Sequence, residues 1–309
     1  MAVVGPTAAG KSGVALEVSS RVGGTEIVSI DSMAVYRGMD IATATPTAAE
    51  RAAVPHHLLD LLDPWEDCTL AFFQDAAMAA MATTVERGHV PILVGGSGLY
   101  HRAVIDRLDI PGQFPAIRAR LELEAAEPGG TAALLATLGE LDPLAVTRIE
   151  PGNVRRIVRA LEVCLGSGRP FSSYGPGLAA YRSTDVVQIG VLPSLEVVHR
   201  AVEDRVGGWV DGGLLDEVAS LRRAPLALSR TAAQAIGYRE FLACIDGDCS
   251  VEEATMETIR RTRQLVRRQV AWFRRDPRVR WASSTQEAQD LLDAAIARVR
   301  ASSEVRDCP

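Results

Sequence analysis

The sequence predicts an α/β fold: a P-loop NTPase-like core on a parallel sheet, with an all-helical domain inserted into it. Three observations carry the prediction. Short apolar runs near the start of the chain end in glycine turns and alternate with helical periodicity. A long middle stretch holds helix formers and no strand-like run. One further apolar run follows that stretch.

In chain order, "AVVG" is an apolar run stopped by Gly5 and Pro6, which reads as a buried strand. "KSGVALEVSSRV" places Val14, Leu16, Val18 and Val22 without a breaker after Gly13, and reads as a helix. "TEIVSID" is a second strand with Asp31 at its carboxyl end, and "VPILVGGSGLY" a third that runs into glycines. The runs "AIRARLELEAAEP", "TAALLATLGELDP" and "NVRRIVRALEVCLGSG" predict helices, closed by the turn-rich "RPFSSYGPG". The expected division is therefore a core of residues 1–112 and 178–309 around a helical insertion of 113–177. "DVVQIGVLP" supplies one more strand returning to the sheet, and helices follow, ending in the arginine-rich segment 257–281.

Bulk properties narrow the function classes. At 309 residues, 47% apolar and a mean hydropathy of +0.08, the chain has the makeup of an ordinary globular protein. A net charge of −6 rules out a uniformly cationic coat while allowing a local basic face. Five cysteines without a CxxC pair suggest neither a disulfide framework nor a zinc cluster. The first residues do not read as a signal peptide, and no apolar run approaches a bilayer span, so a cytoplasmic protein without membrane contact is expected.

Lys11 is the only lysine; every other basic residue among the 33 Lys plus Arg is arginine. It lies in "GPTAAGKS", which fits G-x-x-x-x-G-K-[ST] across Gly5, Pro6, Thr7, Ala8, Ala9, Gly10, Lys11 and Ser12, between a strand and a helix. Such a loop turns backbone N–H groups around phosphate oxygens, and its serine hydroxyl can hold Mg²⁺. The lysine must curl round as a compact point charge, which a planar guanidinium cannot copy. The motif predicts a bound di- or triphosphate.

Asp31 has three readings of comparable weight: a carboxylate holding magnesium through water, a general base at the carboxyl edge of the sheet, or a helix N-cap. "GGSGLY" places Ser97 in a second glycine turn at the same edge. His56 and His57 lack ligand spacing and read as packing or hydrogen-bonding residues. In "IRRTRQLVRRQVAWFRRDPRVRW", Ile259, Thr262, Val266, Val270 and Phe273 form one stripe. Arg260, Arg263, Arg267, Arg268, Arg274 and Arg275 spread over other faces, a density that suits phosphate contacts.

Seven motifs, "GPTAAGKS", "DSMAVYRGMDI", "VPHHLLD", "GGSGLY", "NVRRIVRALEV", "AIGYREF" and "RQVAWFRRDPRVRW", occur in the order and spacing of the tRNA dimethylallyltransferases, which the chain resembles from residue 4 to 281. The resemblance implies transfer of a dimethylallyl group from dimethylallyl diphosphate to N6 of the adenosine 3′ of the anticodon, in tRNAs reading codons that begin with U. It implies that the P-loop with Lys11 grips the leaving diphosphate, with Mg²⁺ as cofactor at Ser12. Asp31 would be the base and Ser97, usually Thr in relatives, would hydrogen-bond the bridging oxygen; Arg118 would assist catalysis.

By the same resemblance, the tRNA anticodon stem-loop would be touched by Asp31, Ser32, Met33 and Ala34. Two further segments would join them: Arg155, Arg156, Ile157, Val158 and Arg159, then Gln234, Ala235, Ile236, Gly237, Tyr238 and Arg239. A single chain is expected to act as a monomer. Two departures stand out. Ala34 occupies a position where relatives usually carry Gln, and "IATATP" replaces a pattern nearer IGTAKP. The rival expectations are an adenylate prenyltransferase of the cytokinin-forming kind, a P-loop small-molecule kinase and, more weakly, a non-catalytic RNA-binding module.

Overall fold

In a computed structural model, which describes residues 1–178 and 180–306, Ala2–Val4 form β1 with all three residues buried. A strand in the middle of a parallel sheet has helices on both faces, so its apolar residues need not alternate with polar ones. The elements that follow are α1 (Lys11–Val22), β2 (Thr25–Ser29), α2 (Ala48–Ala53), β3 (His56–His57), α3 (Leu70–Glu86), β4 (Val90–Gly95) and α4 (Gly98–Ile105). The helices α5 (Pro115–Ala126), α6 (Gly130–Leu141), α7 (Pro143–Arg148) and α8 (Val154–Ser167) come next. The chain closes with β5 (Gln188–Val191), α9 (Leu195–Asp211), α10 (Leu214–Arg222), α11 (Tyr238–Ile245), α12 (Val251–Phe273), β6 (Val279–Ala282) and α13 (Thr285–Arg306).

The six strands form one sheet in the order β3-β2-β4-β1-β5-β6, every pair parallel. Side chains alternate across it. Ala2, Val4, Val28, Ile30 and Leu93 face a core closed by Phe73 of α3, Val218 of α10, Phe241 of α11 and Phe273 of α12. Val3, Ile27, Ile92, Val94, Ile189 and Val191 face the other, closed by Val14 and Val18 of α1, Val202 of α9 and Leu292 of α13.

Two strands were not legible as such. β3 is two residues long, and β6 lies inside the arginine motif, where Val279 and Ala282 are buried but Arg280 is exposed. The motif is thus helical only as far as Phe273; after Asp276 and Pro277 it becomes strand. Its stripe faces inward, with Thr262, Val266 and Phe273 buried and Ile259 and Val270 half-buried. A 22-residue helix, α13, follows where the sequence reading ended.

The chain divides into two compact units, Met1–Ile105 with the chain from Ser183 onward, and Asp106–Arg182. The helical unit is wider at both ends than the expected 113–177. Within it, Leu121, Leu134, Leu138, Ile149, Ile157 and Leu161 form a core of their own. Asn153 caps α8 by accepting from Arg156 N, and Asp142 caps α7 by accepting from Ala145 N. Ala179 and residues 307–309, all within the expected core segment 178–309, lie outside the described residues. Among the described residues no helix is long and apolar enough to cross a membrane.

In the larger unit, Glu26 of β2 is a buried carboxylate. It accepts from Arg87 Nε at 2.9 Å and Thr84 Oγ1 at 3.1 Å, and lies 2.6 Å from His57 Nε2 and 2.7 Å from His89 Nδ1. The guanidinium of Arg87 above all holds the Glu26 carboxyl well below the usual range. His56 Nδ1 lies 2.7 Å from Val54 O.

Candidate active site

In an all-parallel sheet the loops after every strand leave from one edge, and ligands of such folds sit there. Because β2, β4 and β1 are neighbours, the loops that follow them adjoin. The three sequence-predicted centres, Asp31 after β2, Ser97 after β4 and the Gly5–Ser12 loop after β1, therefore share one edge.

The loop after β1 is shaped by residues in left-handed backbone conformations, Ala8 at φ 61° and Gly10 at φ 89°, the geometry that turns consecutive N–H groups inward as an anion nest. Gly5, at φ 140°, is required for another reason: a Cβ there would lie 2.4 Å from Val191 O of β5. α1 begins at Lys11 with no side chain capping its first turn, so its N–H groups are directed at the loop.

Lys11 is buried and donates from Nζ to Pro6 O at 2.6 Å. Burial first, and the nearby Arg205 second, lower its pKa to about 8, while Asp31 pulls the other way. Arg205 of α9 was not found by sequence reasoning. Its Nη1 donates to Thr7 Oγ1 at 3.4 Å, and burial lowers its pKa too. A buried lysine and a half-buried arginine beside one anion nest form a site that gains most when a polyanion arrives.

Asp31 accepts from Met33 N at 2.8 Å through Oδ1. Burial raises its pKa against the opposing pull of that N–H and of Lys11, the direction that makes the carboxylate a stronger base. The bond to Met33 N closes an Asx-type turn, and no helix begins at Asp31, so the helix N-cap reading does not hold and the base and magnesium readings remain. Ser97 starts the turn into α4, its carbonyl accepting from His101 N at 2.9 Å. Ser12 is exposed at the start of α1. Among the described residues no cluster of three or more His, Cys, Asp or Glu is gathered for a metal. Ser12 and Asp31 beside a phosphate nest nonetheless fit Mg²⁺, which takes one or two protein ligands and completes its shell with phosphate oxygens and water.

Of the residues expected to meet RNA, the structure exposes some and encloses others. Ser32 and Met33 are half-buried and Ala34 is buried, so position 34 offers no side chain to a base. Arg155 and Arg156 are exposed on α8, whereas Ile157 and Val158 lie in the helical core and present no side chain outward. Arg159 is already engaged, donating to Gly112 O at 3.0 Å and Pro111 O at 2.8 Å. Gln234 and Arg239 are exposed and Ile236 is half-buried; Ala235, Gly237 and Tyr238 are buried, with Tyr238 Oη donating to Glu217 at 2.6 Å. These buried residues shape the surface without touching what lies on it.

Arg118 belongs to the helical unit. Its Nε and Nη2 donate to Oε2 of the fully buried Glu162 at 2.9 and 2.7 Å, and Phe114 N donates to Oε1 at 2.7 Å. Burial raises the Glu162 pKa, but these donors and Arg159 outweigh it and keep the carboxyl below the ordinary range.

Comparison with known proteins agrees with this architecture. A family model described as IPP transferase matches residues 34–276. A tRNA dimethylallyltransferase of Streptomyces coelicolor is 48% identical over 92% of this chain and 89% of its own. One from Salinispora arenicola is 47% identical over 97% and 86%. The crystal structure of a full-length tRNA isopentenylpyrophosphate transferase from Bacillus halodurans, 35% identical, superposes with a TM-score of 0.68 over 96% of both chains. A phosphate nest with one lysine and a raised carboxylate beside it, on a chain this similar end to end, leaves one assignment: the chain belongs to the IPP transferase family, enzymes that transfer prenyl groups.

Proposed function

We propose that the chain transfers a dimethylallyl group from dimethylallyl diphosphate to N6 of the adenosine 3′ of the anticodon in tRNAs reading codons that begin with U. The observation that carries the reading is that Lys11, Asp31 and Ser97 follow three neighbouring strands, β1, β2 and β4, at one edge of the sheet. The nest of Gly5–Ser12, with Lys11 and Arg205, binds the diphosphate, and Ser97 supplies a hydroxyl to its bridging oxygen. Asp31 accepts the proton from N6 as the N–C bond forms and the allylic C–O bond breaks, its electron pair leaving on diphosphate. Mg²⁺, held by Ser12, would add charge stabilisation to that leaving group. The target base must leave the loop stack to reach Asp31.

Arg267, Arg268, Arg274 and Arg275, all exposed and without an acidic partner among the described residues, favour a polymeric RNA acceptor over free adenylate, which needs few phosphate contacts. The test is mass analysis of nucleosides from tRNA incubated with the chain, Mg²⁺ and dimethylallyl diphosphate. A dimethylallyl increment on that adenosine is expected. An increment on added AMP but not on tRNA would overturn the assignment of acceptor, and consumption of ATP without prenyl transfer would overturn the reaction.

A further inference from the structure

Gln269 of α12 stands between the two phosphate-side loops. Its Oε1 accepts from Thr7 N in the loop after β1 at 2.8 Å, and its Nε2 donates to Gly96 O in the turn after β4 at 3.0 Å. Both bonds are long-range, and one amide has the donor and the acceptor needed to make them together.

The fit around it is close. A Cβ on Gly96 would lie 2.4 Å from Gln269 Nε2, and one on Gly98 would lie 2.2 Å from the indole of Trp272, one helical turn further along α12. The glycines flanking Ser97 are thus pressed onto the Gln269–Trp272 face of a 23-residue helix.

We propose that Gln269 is a positioning residue for prenyl transfer: its amide sets the separation between the anion nest and Ser97, and Trp272 backs the turn on the Ser97 side. This rests on the function proposed above. Thr7 also receives Arg205 through its hydroxyl, so the same residue is fixed at its main chain by Gln269 and at its side chain by a phosphate-side cation. Loosening the first bond lets the nest and the bridging-oxygen donor drift apart, and reactions held in register lose rate steeply with small displacements.

The experiment compares Gln269→Met and Gln269→Glu with the parent in the full chain. It measures inorganic diphosphate affinity by calorimetry with Mg²⁺, kcat and KM on tRNA, and amide exchange at Thr7. Gln269→Met keeps the length and loses both bonds. Expected are a kcat lower by on the order of 10- to 100-fold and diphosphate affinity weaker by about fivefold, the size of one hydrogen bond. Thr7 exchange should be faster and β1 exchange unchanged.

Gln269→Glu is impaired while ionised, but a protonated carboxyl again offers one donor and one acceptor. Its diphosphate deficit relative to the parent should therefore shrink as pH falls from about 8 to about 5.5, because a carboxylate facing the Gly96 carbonyl has a raised pKa. A merely packed residue would show no such recovery.

Affinity and kcat of Gln269→Met within twofold of the parent, or a Gln269→Glu deficit that is the same at both pH values, would overturn the proposal. Should Gln269→Met fail to fold, the pH dependence of Gln269→Glu decides. A parent that binds diphosphate but prenylates no tRNA would overturn the function while leaving the diphosphate comparison valid.

Discussion

Lys11 should destabilise the fold that it serves. An ordinary lysine has a pKa of 10.5, and here it is lowered to about 8, chiefly by burial. The difference of about 2.5 pH units corresponds to about 3 kcal/mol at 1.36 kcal/mol each. The sign follows from linkage. The unfolded chain binds the proton more tightly, so the cost is present in full below about pH 8 and fades as pH rises toward 10.5.

Lys11→Met keeps the apolar stem, removes the charge and gives up the bond to Pro6 O. At pH 7 the variant should be more stable than the parent by up to about 3 kcal/mol, less whatever the lost bond contributed, while its diphosphate affinity collapses. Urea unfolding at intervals from pH 7 to 10.5, with Mg²⁺ and phosphate absent, measures the difference. That difference should narrow steadily above pH 8. One that stays constant across the range would refute the reasoning, because a lost hydrogen bond has no reason to titrate between those values. A gain of this size would be a large share of the stability of a typical domain.

Asp31→Asn should retain diphosphate binding and lose on the order of 10²- to 10⁴-fold in kcat; in the parent, the acid limb of the kcat–pH profile should lie above the ordinary carboxylate range, because burial raises Asp31. Arg205→Ala should weaken diphosphate binding about tenfold or more with little change in thermal stability, since its removal relieves a buried cation; calorimetry and a melting curve separate the two. Glu26→Ala leaves Arg87, His57 and His89 without their acceptor; because these partners reach solvent, the cost should be about 1–3 kcal/mol by urea unfolding at pH 7. In the parent, the Glu26 contribution is present above the ordinary carboxylate pKa and is lost as pH falls below it, since its folded pKa is depressed.

The loop after β1 was legible because it is a demand on backbone geometry. Gly5, Gly10 and Lys11 sit at a spacing that few other structures need, and a chain stripped of other lysines marks the position twice. Asp31 and Ser97 were legible as places, at the ends of apolar runs, but the residues alone left the role of Asp31 open. Arg205 left no signal: it is one arginine on an amphipathic helix, and only the packing of α9 against the sheet carries it to Thr7. The arginine motif was read as one dense cluster, yet its members divide. Arg260, Arg261 and Arg263 pair with Glu257, Glu240 and Glu203, while Arg267, Arg268, Arg274 and Arg275 have no acidic partner among the described residues. The Arg260 pair lies within one helix at i,i+3 spacing, but the partners of Arg261 and Arg263 come from α11 and α9, and the run of letters does not contain that pairing.

The order of the strands has a consequence for how the protein is made. β1 is central, yet one of its two neighbours, β5, is encoded beyond the helical unit, with Val4 opposite Gly190 and the Val191 carbonyl against Gly5. As the ribosome releases the nascent chain, the phosphate loop therefore stays open on one flank until residues near 191 emerge. Any product truncated within or just after the helical unit carries a complete loop motif that lacks its β5 wall.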